Sequence, residues 1–142
     1  MQGILSRAQL IVIVGASLLA TLWAANYSST ASMPVVAQLR PAEAYALIQA
    51  GRVLVLDVRE KEAYDKDHLP GAISVPIGEL DARIGEFEAD KADEIIIYCN
   101  DGSKRGPNAT DKMNKAGYPG AKNLDGGIEG WRAANYKTTN VR

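Results

Sequence analysis

The chain has one cysteine, Cys99, and one histidine, His68, in 142 residues. A lone cysteine excludes an internal disulfide. With a single histidine beside it there is no Cys/His cluster, so neither a metal site nor a cofactor is expected. A basic stripe is also missing. Lys and Arg number 16 against 17 Asp and Glu, for a formal charge of −1, and this balance argues against nucleic-acid binding. Charge of either sign is absent between Arg7 and Arg40. The solitary thiol restricts redox chemistry as well. Any oxidised or sulfurated Cys99 must be resolved by a thiol from outside the chain.

The uncharged stretch holds a nearly continuous apolar run from Ala8 to Ala25, including Leu10-Ile11-Val12-Ile13-Val14 and Leu18-Leu19-Ala20-Thr21-Leu22-Trp23. As a helix, 8–25 would reach about 27 Å, close to the hydrocarbon thickness of a bilayer. Residues 1–25 therefore read as a signal-anchor or transmembrane helix rather than an amphipathic core helix. Trp23 would occupy the −3 position of a cut after Ala25, a poor cleavage pattern. The expectation is a retained single-pass anchor; the alternative is a secretory signal, cut near Ser29-Thr30-Ala31 to leave a periplasmic protein. Arg7 keeps the amino end cytoplasmic. The remainder would then lie across an inner membrane, in the periplasm, where a membrane-complex partner is an open option. Residues 26–34, with Ser28, Ser29, Thr30, Ser32 and Pro34, read as a tether. Residues 35–142 suffice for one domain.

Within that domain, Pro41 to Ile48 reads as a short helix, with Gly51 at its carboxyl cap. Val53-Leu54-Val55-Leu56 and Ile95-Ile96-Ile97-Tyr98 are continuous apolar runs, as in strands buried on both faces. Ala72 to Val75 and Ala121 to Leu124 read as further strands. Ile77, Leu80, Ile84 and Phe87 fall on one helical face. Ala109, Met113 and Ala116 mark a helix after Cys99, and Gly126 to Trp131 opens the last one. Strands alternating with helices imply a parallel sheet covered on both sides. Ligands of such sheets bind at the carboxyl ends of strands, where Cys99 stands.

The run Cys99-Asn100-Asp101-Gly102-Ser103-Lys104-Arg105 joins a buried strand to a helix. Amides of such a loop point inward, and the helix dipole adds partial positive charge. Both favour a thiolate, hence a nucleophile. Alternatively, a cysteine at the end of an apolar strand is a small buried hydrophobe. Glycine and two basic residues beside it favour the nucleophile. Basic residues at a helix amino end oppose the dipole, so an anionic partner is the more economical explanation.

Leu56-Asp57-Val58-Arg59, His68-Leu69-Pro70-Gly71-Ala72, Tyr98-Cys99-x-x-Gly102, Gly117-Tyr118 and Leu124-x-Gly126-Gly127-x-x-x-Trp131 occur in an order that resembles the single-domain rhodanese family. The resemblance implies an α/β fold, a five-stranded parallel sheet with helices on both faces, preceded here by one apolar helix. It implies that Cys99 carries sulfane sulfur as a persulfide, and that Asn100, Asp101, Gly102, Ser103, Lys104 and Arg105 cradle the substrate. Asp57 and Arg59 are expected as a supporting ion pair beneath the loop, and His68 as a turn-pinning residue. A small anionic sulfur donor, or a persulfide on another protein, would load Cys99, and an external thiol would unload it. The resemblance thus implies a thiosulfate or persulfide sulfurtransferase.

The loop departs from the family pattern. Lys104 stands where an arginine is common, and one extra residue precedes Gly117. With the gap placed in the loop, Cys99-x5-Arg105 is similar to the spacing of rhodanese-fold phosphatases and arsenate reductases, in which the arginine would clamp a tetrahedral anion. Tyr98, however, stands where those relatives usually carry histidine. A non-catalytic, membrane-anchored binding or accessory subunit is the third reading.

Overall fold

The computed structural model describes residues 32–90 and 94–141. The expected membrane segment, 8–25, and most of the tether lie outside them. Among the described residues, no helix is long and apolar enough to cross a membrane.

The elements run β1 (Gln38–Leu39), α1 (Pro41–Ala50), β2 (Leu54–Asp57), α2 (Lys61–Lys66), β3 (Ile73–Ser74), α3 (Leu80–Arg83), a 3₁₀ segment (Ile84–Asp90), β4 (Ile95–Tyr98), α4 (Arg105–Lys115), β5 (Ala121–Leu124) and α5 (Gly127–Ala133). All five strands pair in parallel, in the order β1-β5-β4-β2-β3. β1 was not legible from the sequence pattern; two residues are too few for any periodicity to show. Its backbone nonetheless takes Asp125 N–H at Leu39 O (2.9 Å) and extends the sheet beyond β5. The helical face read over Ile77 to Phe87 is also divided. The α-helix stops at Arg83 and continues as 3₁₀, where Gly85 weakens helical preference.

The apolar runs resolve into two layers with a period of two. Leu54, Leu56, Ile95, Ile97 and Cys99 face α3 and α4, packing with Leu80, Ala109 and Met113. Val55, Ile96, Tyr98 and Leu124 face the other way, onto Ala44 of α1 and Ile128 and Trp131 of α5. Both faces are covered, so runs without polar alternation are what this sheet requires. α1 begins as its sequence suggested. Pro41 opens it, Arg40 N–H donates to Glu43 Oε2 (3.0 Å), and Gly51 closes it at φ +69°.

His68 serves the turn. Its Nδ1 lies 2.8 Å from Tyr64 O, its ring stacks on Tyr64 at 3.9 Å, and its backbone exchanges two 2.8 Å hydrogen bonds with Thr139. Trp131 is fully buried and donates Nε1–H to Lys137 O (3.0 Å), which fixes the chain after α5. A cavity of about 350 Å³ lies between α1 and β2, lined by residues such as Ile48, Val53, Val55 and Pro70. It includes none of the loop 99–106 and sits on the sheet face opposite Cys99.

Candidate functional site

β4 places successive side chains on opposite faces. Tyr98 and Cys99, adjacent in sequence, therefore enter different layers. Each has a distinct task.

Tyr98 anchors a buried polar network on the sheet face opposite Cys99. In register it sits across from Asp57 on β2, and its hydroxyl donates to Asp57 Oδ2 at 2.6 Å. Leu69 N–H donates to the same hydroxyl oxygen at 3.1 Å. Burial first, then the charge and hydrogen bond of Asp57, push the Tyr98 phenol well above its ordinary range, so it remains a donor. Arg59 closes the network: Nη2 lies 2.6 Å from Asp57 Oδ2 and donates to Asp67 O, also at 2.6 Å. Asp57 and Arg59 are 0% and 3% exposed. Asp57 and Arg59 form a buried ion pair whose described contacts run to Tyr98 and Asp67.

Cys99 is 2% exposed. Of the described polar groups, Asp101 partners its sulfur, with Sγ 3.7 Å from Oδ1; His68 does not. The loop's shape comes from α5. Ile128 N–H donates to Cys99 O and Glu129 N–H to Asn100 O, each at 3.0 Å. These two bonds hold the loop carbonyls against α5. At the other end, the amides of Lys104, Arg105 and Gly106 open α4 without an acceptor among the described residues, as first-turn amides do. With the carbonyls of Cys99 and Asn100 engaged by α5, the open amides stand at the head of an eleven-residue helix, an arrangement that favours an anion.

The close approach of α5 to the loop demands glycine. Gly127 has φ +55°, and a Cβ there would lie 2.5 Å from Cys99 O and 2.6 Å from Asn100 O. Both obstacles are backbone, so neither can swing aside. Gly127→Ala is expected to cost about 2 kcal/mol or more of stability, from left-handed strain plus the clash. A lowered urea midpoint with unchanged slope checks it; wild-type stability would show that the two segments separate freely. Gly102 (φ +72°) is similarly pinned, its added Cβ falling 2.8 Å from Leu124 O.

The predicted substrate residues sit together on this loop. Asp101 is held by Ser103, whose N–H donates to Oδ1 (3.0 Å) and whose hydroxyl donates to Oδ2 (2.8 Å). These bonds keep the exposed Asp101 carboxyl below its usual value. Lys104 is exposed at the helix cap. Arg105 begins α4, and its Nη1 lies 3.8 Å from Glu60 Oε1.

Sequence reasoning missed Asn123 and Gly106. Asn123, fully buried at the end of β5, donates Nδ2–H to Gln38 Oε1 (2.7 Å) and to Gly102 O (3.1 Å). It ties β1, β5 and the loop tip together. Its Oδ1 has no hydrogen-bond donor and lies against Gly106, where a Cβ would collide with it. That same Cβ would lie 3.5 Å from Cys99 Sγ. Nothing in the short strand Ala121-Lys122-Asn123-Leu124, which already carries Lys122, singled Asn123 out.

The site can now be set beside known proteins. Over 71 residues the chain is 37% identical to the thiosulfate sulfurtransferase PspE of Escherichia coli (strain K12), covering 50% of this chain and 67% of that one. Over 77 residues it is 39% identical to a putative sulfur carrier protein, YrkF, of Bacillus subtilis (strain 168); this is 54% of this chain but only 40% of YrkF. Among solved structures, a thiosulfate sulfurtransferase from Pseudomonas aeruginosa superposes with a TM-score of 0.68 at 30% identity, over 75% of this chain and 21% of that one. The family model for the rhodanese-like domain matches residues 40–134. That interval contains the sheet from α1 onward, the Cys99 loop and the α5 clamp, and the chain belongs to the rhodanese-like domain family.

Proposed function

We propose that this protein is a sulfurtransferase that carries sulfane sulfur as a persulfide on Cys99. The observation that supports it most is the cup itself: one sulfur at a strand end, open amides at the head of α4, and carbonyls drawn off by α5. In the first half-reaction the Cys99 thiolate attacks the outer sulfur of a donor. For thiosulfate, the S–S bond breaks and its electron pair leaves with sulfite, giving Cys99 persulfide. In the second, an external thiolate attacks that outer sulfur and Cys99 thiolate departs. The loop amides stabilise charge on the persulfide without reorganising. Such a covalent cycle gives ping-pong kinetics.

Tethering through 8–25, with the domain on the periplasmic side of an inner membrane, is part of the proposal. The apolar run and the uncharged interval from Arg7 to Arg40 support it. One measurement addresses both parts. Intact mass of the protein purified from membranes and treated with thiosulfate is expected to show an uncleaved amino terminus and one added sulfur atom. A mass lacking the apolar segment would replace the anchor with a cleaved signal. No sulfur uptake from any donor would remove the sulfurtransferase reading.

A further inference from the structure

We infer that Asp101 is a specificity-determining residue that ranks sulfur donors by charge, disfavouring inorganic dianions and favouring donors whose sulfane sulfur is borne on a less charged group. The inference deepens the sulfurtransferase reading and rests on it.

The geometry carries the inference. Asp101 Oδ1 is 3.7 Å from the sulfur that any donor must reach. The carboxylate is not a free surface charge, because Ser103 grips both of its oxygens from within the same loop. Those bonds also hold it ionised. The neighbouring cations do not outweigh it. Arg105 has Glu60 beside it at 3.8 Å, and Lys104 stands exposed at the helix cap. The mouth therefore carries two positive and two negative side chains. Attraction for an incoming anion falls mainly to the amides, which act at short range. A donor pays for each added negative charge near Asp101 by repulsion. At about 4 Å this amounts to roughly five- to tenfold in rate per unit charge in a water-like medium.

Two donors of nearly equal shape isolate the charge. Thiosulfate is a dianion and leaves as sulfite. Methanethiosulfonate replaces one oxygen by methyl, is a monoanion, and leaves as methanesulfinate. Both deliver the same sulfur to the Cys99 thiolate, with one S–S bond made and one broken, and with no external oxidant or reductant.

The test compares kcat/KM for both donors in the full chain, wild type against Asp101→Asn, over a range of ionic strength. The thiosulfate constant is expected to rise about tenfold relative to the methanethiosulfonate constant in the variant. The salt dependence of the thiosulfate reaction should shift in the attractive direction. Ser103→Ala, which removes the hydroxyl bond to Oδ2 and keeps the backbone bond to Oδ1, should move the ratio the same way by less. A donor ratio and salt dependence that stay at wild-type values, even if both rates change together, would overturn the inference and leave Asp101 as a loop brace. Failure of the wild type to load sulfur from either donor would instead remove the underlying reading, an outcome the variant cannot mimic.

Discussion

Cys99→Ser is expected to abolish sulfur loading outright, with no added mass after any donor and no turnover. Serine fits the space, since the side chain stands in a buried layer with Ala109 and Met113 and needs only a small group. It lacks the chemistry. A hydroxyl is weakly nucleophilic without a positioned base, and the sulfur's polar partner among the described residues is a carboxylate at 3.7 Å. The variant should fold, so unchanged thermal unfolding would separate lost chemistry from lost structure. Residual loading in Cys99→Ser would place the sulfur elsewhere, and no other cysteine exists to take it. The phosphatase alternative is tested on the same preparation. Turnover of an aryl phosphate that disappears in Arg105→Ala would revive it; the contact of Arg105 with Glu60 gives it no support.

The second large effect concerns stability. Arg59→Met leaves the Asp57 carboxylate at 0% exposure with its guanidinium partner gone. Hydrogen bonds from Tyr98 Oη and from Arg59 N–H persist (2.6 and 2.9 Å), but neither neutralises the charge. Removing one member of a buried pair costs about 3–5 kcal/mol, which in a domain of this size lowers the melting temperature by roughly ten degrees or more. The double variant Asp57→Asn/Arg59→Met should lose less than Arg59→Met alone, because no uncompensated charge remains and Tyr98 keeps an acceptor. Equal losses in the single and double variants would show that packing, not charge, is what Arg59 supplies. The pair contacts Tyr98, the residue next to Cys99. Sulfur loading by the destabilised variants should therefore be measured well below their unfolding temperature.

Much of the fold was legible because the relevant physics is local. Continuous β-branched runs such as Ile95-Ile96-Ile97 fit strands covered on both sides. Pro41 and Gly51 mark helix ends through their backbone preferences. The position of Cys99 follows from the same reading, since a strand end followed by a glycine-bearing loop and a helix is a sequence pattern. β1 escaped because pairing with β5, rather than any property of Gln38 and Leu39, makes it a strand. The α5 clamp escaped for the same reason. Nothing near Cys99 in sequence reveals that the amides of Ile128 and Glu129 take its carbonyls.

By itself the sequence determined where the one cysteine stands, at the end of a buried strand before a loop and a helix, which apolar runs enter the sheet, and that the proposed release of sulfur from it would require an outside thiol; these follow from residue identity and short-range backbone preference. Only the tertiary structure decided how the cup is shaped. It brought Gly127 against the loop, Asn123 beneath Gly106, Tyr98 onto Asp57, and Glu60 beside Arg105, contacts across gaps of up to 45 residues along the chain. Such contacts are set by how two layers pack on a common sheet, and that packing leaves no periodic trace in the chain that makes it.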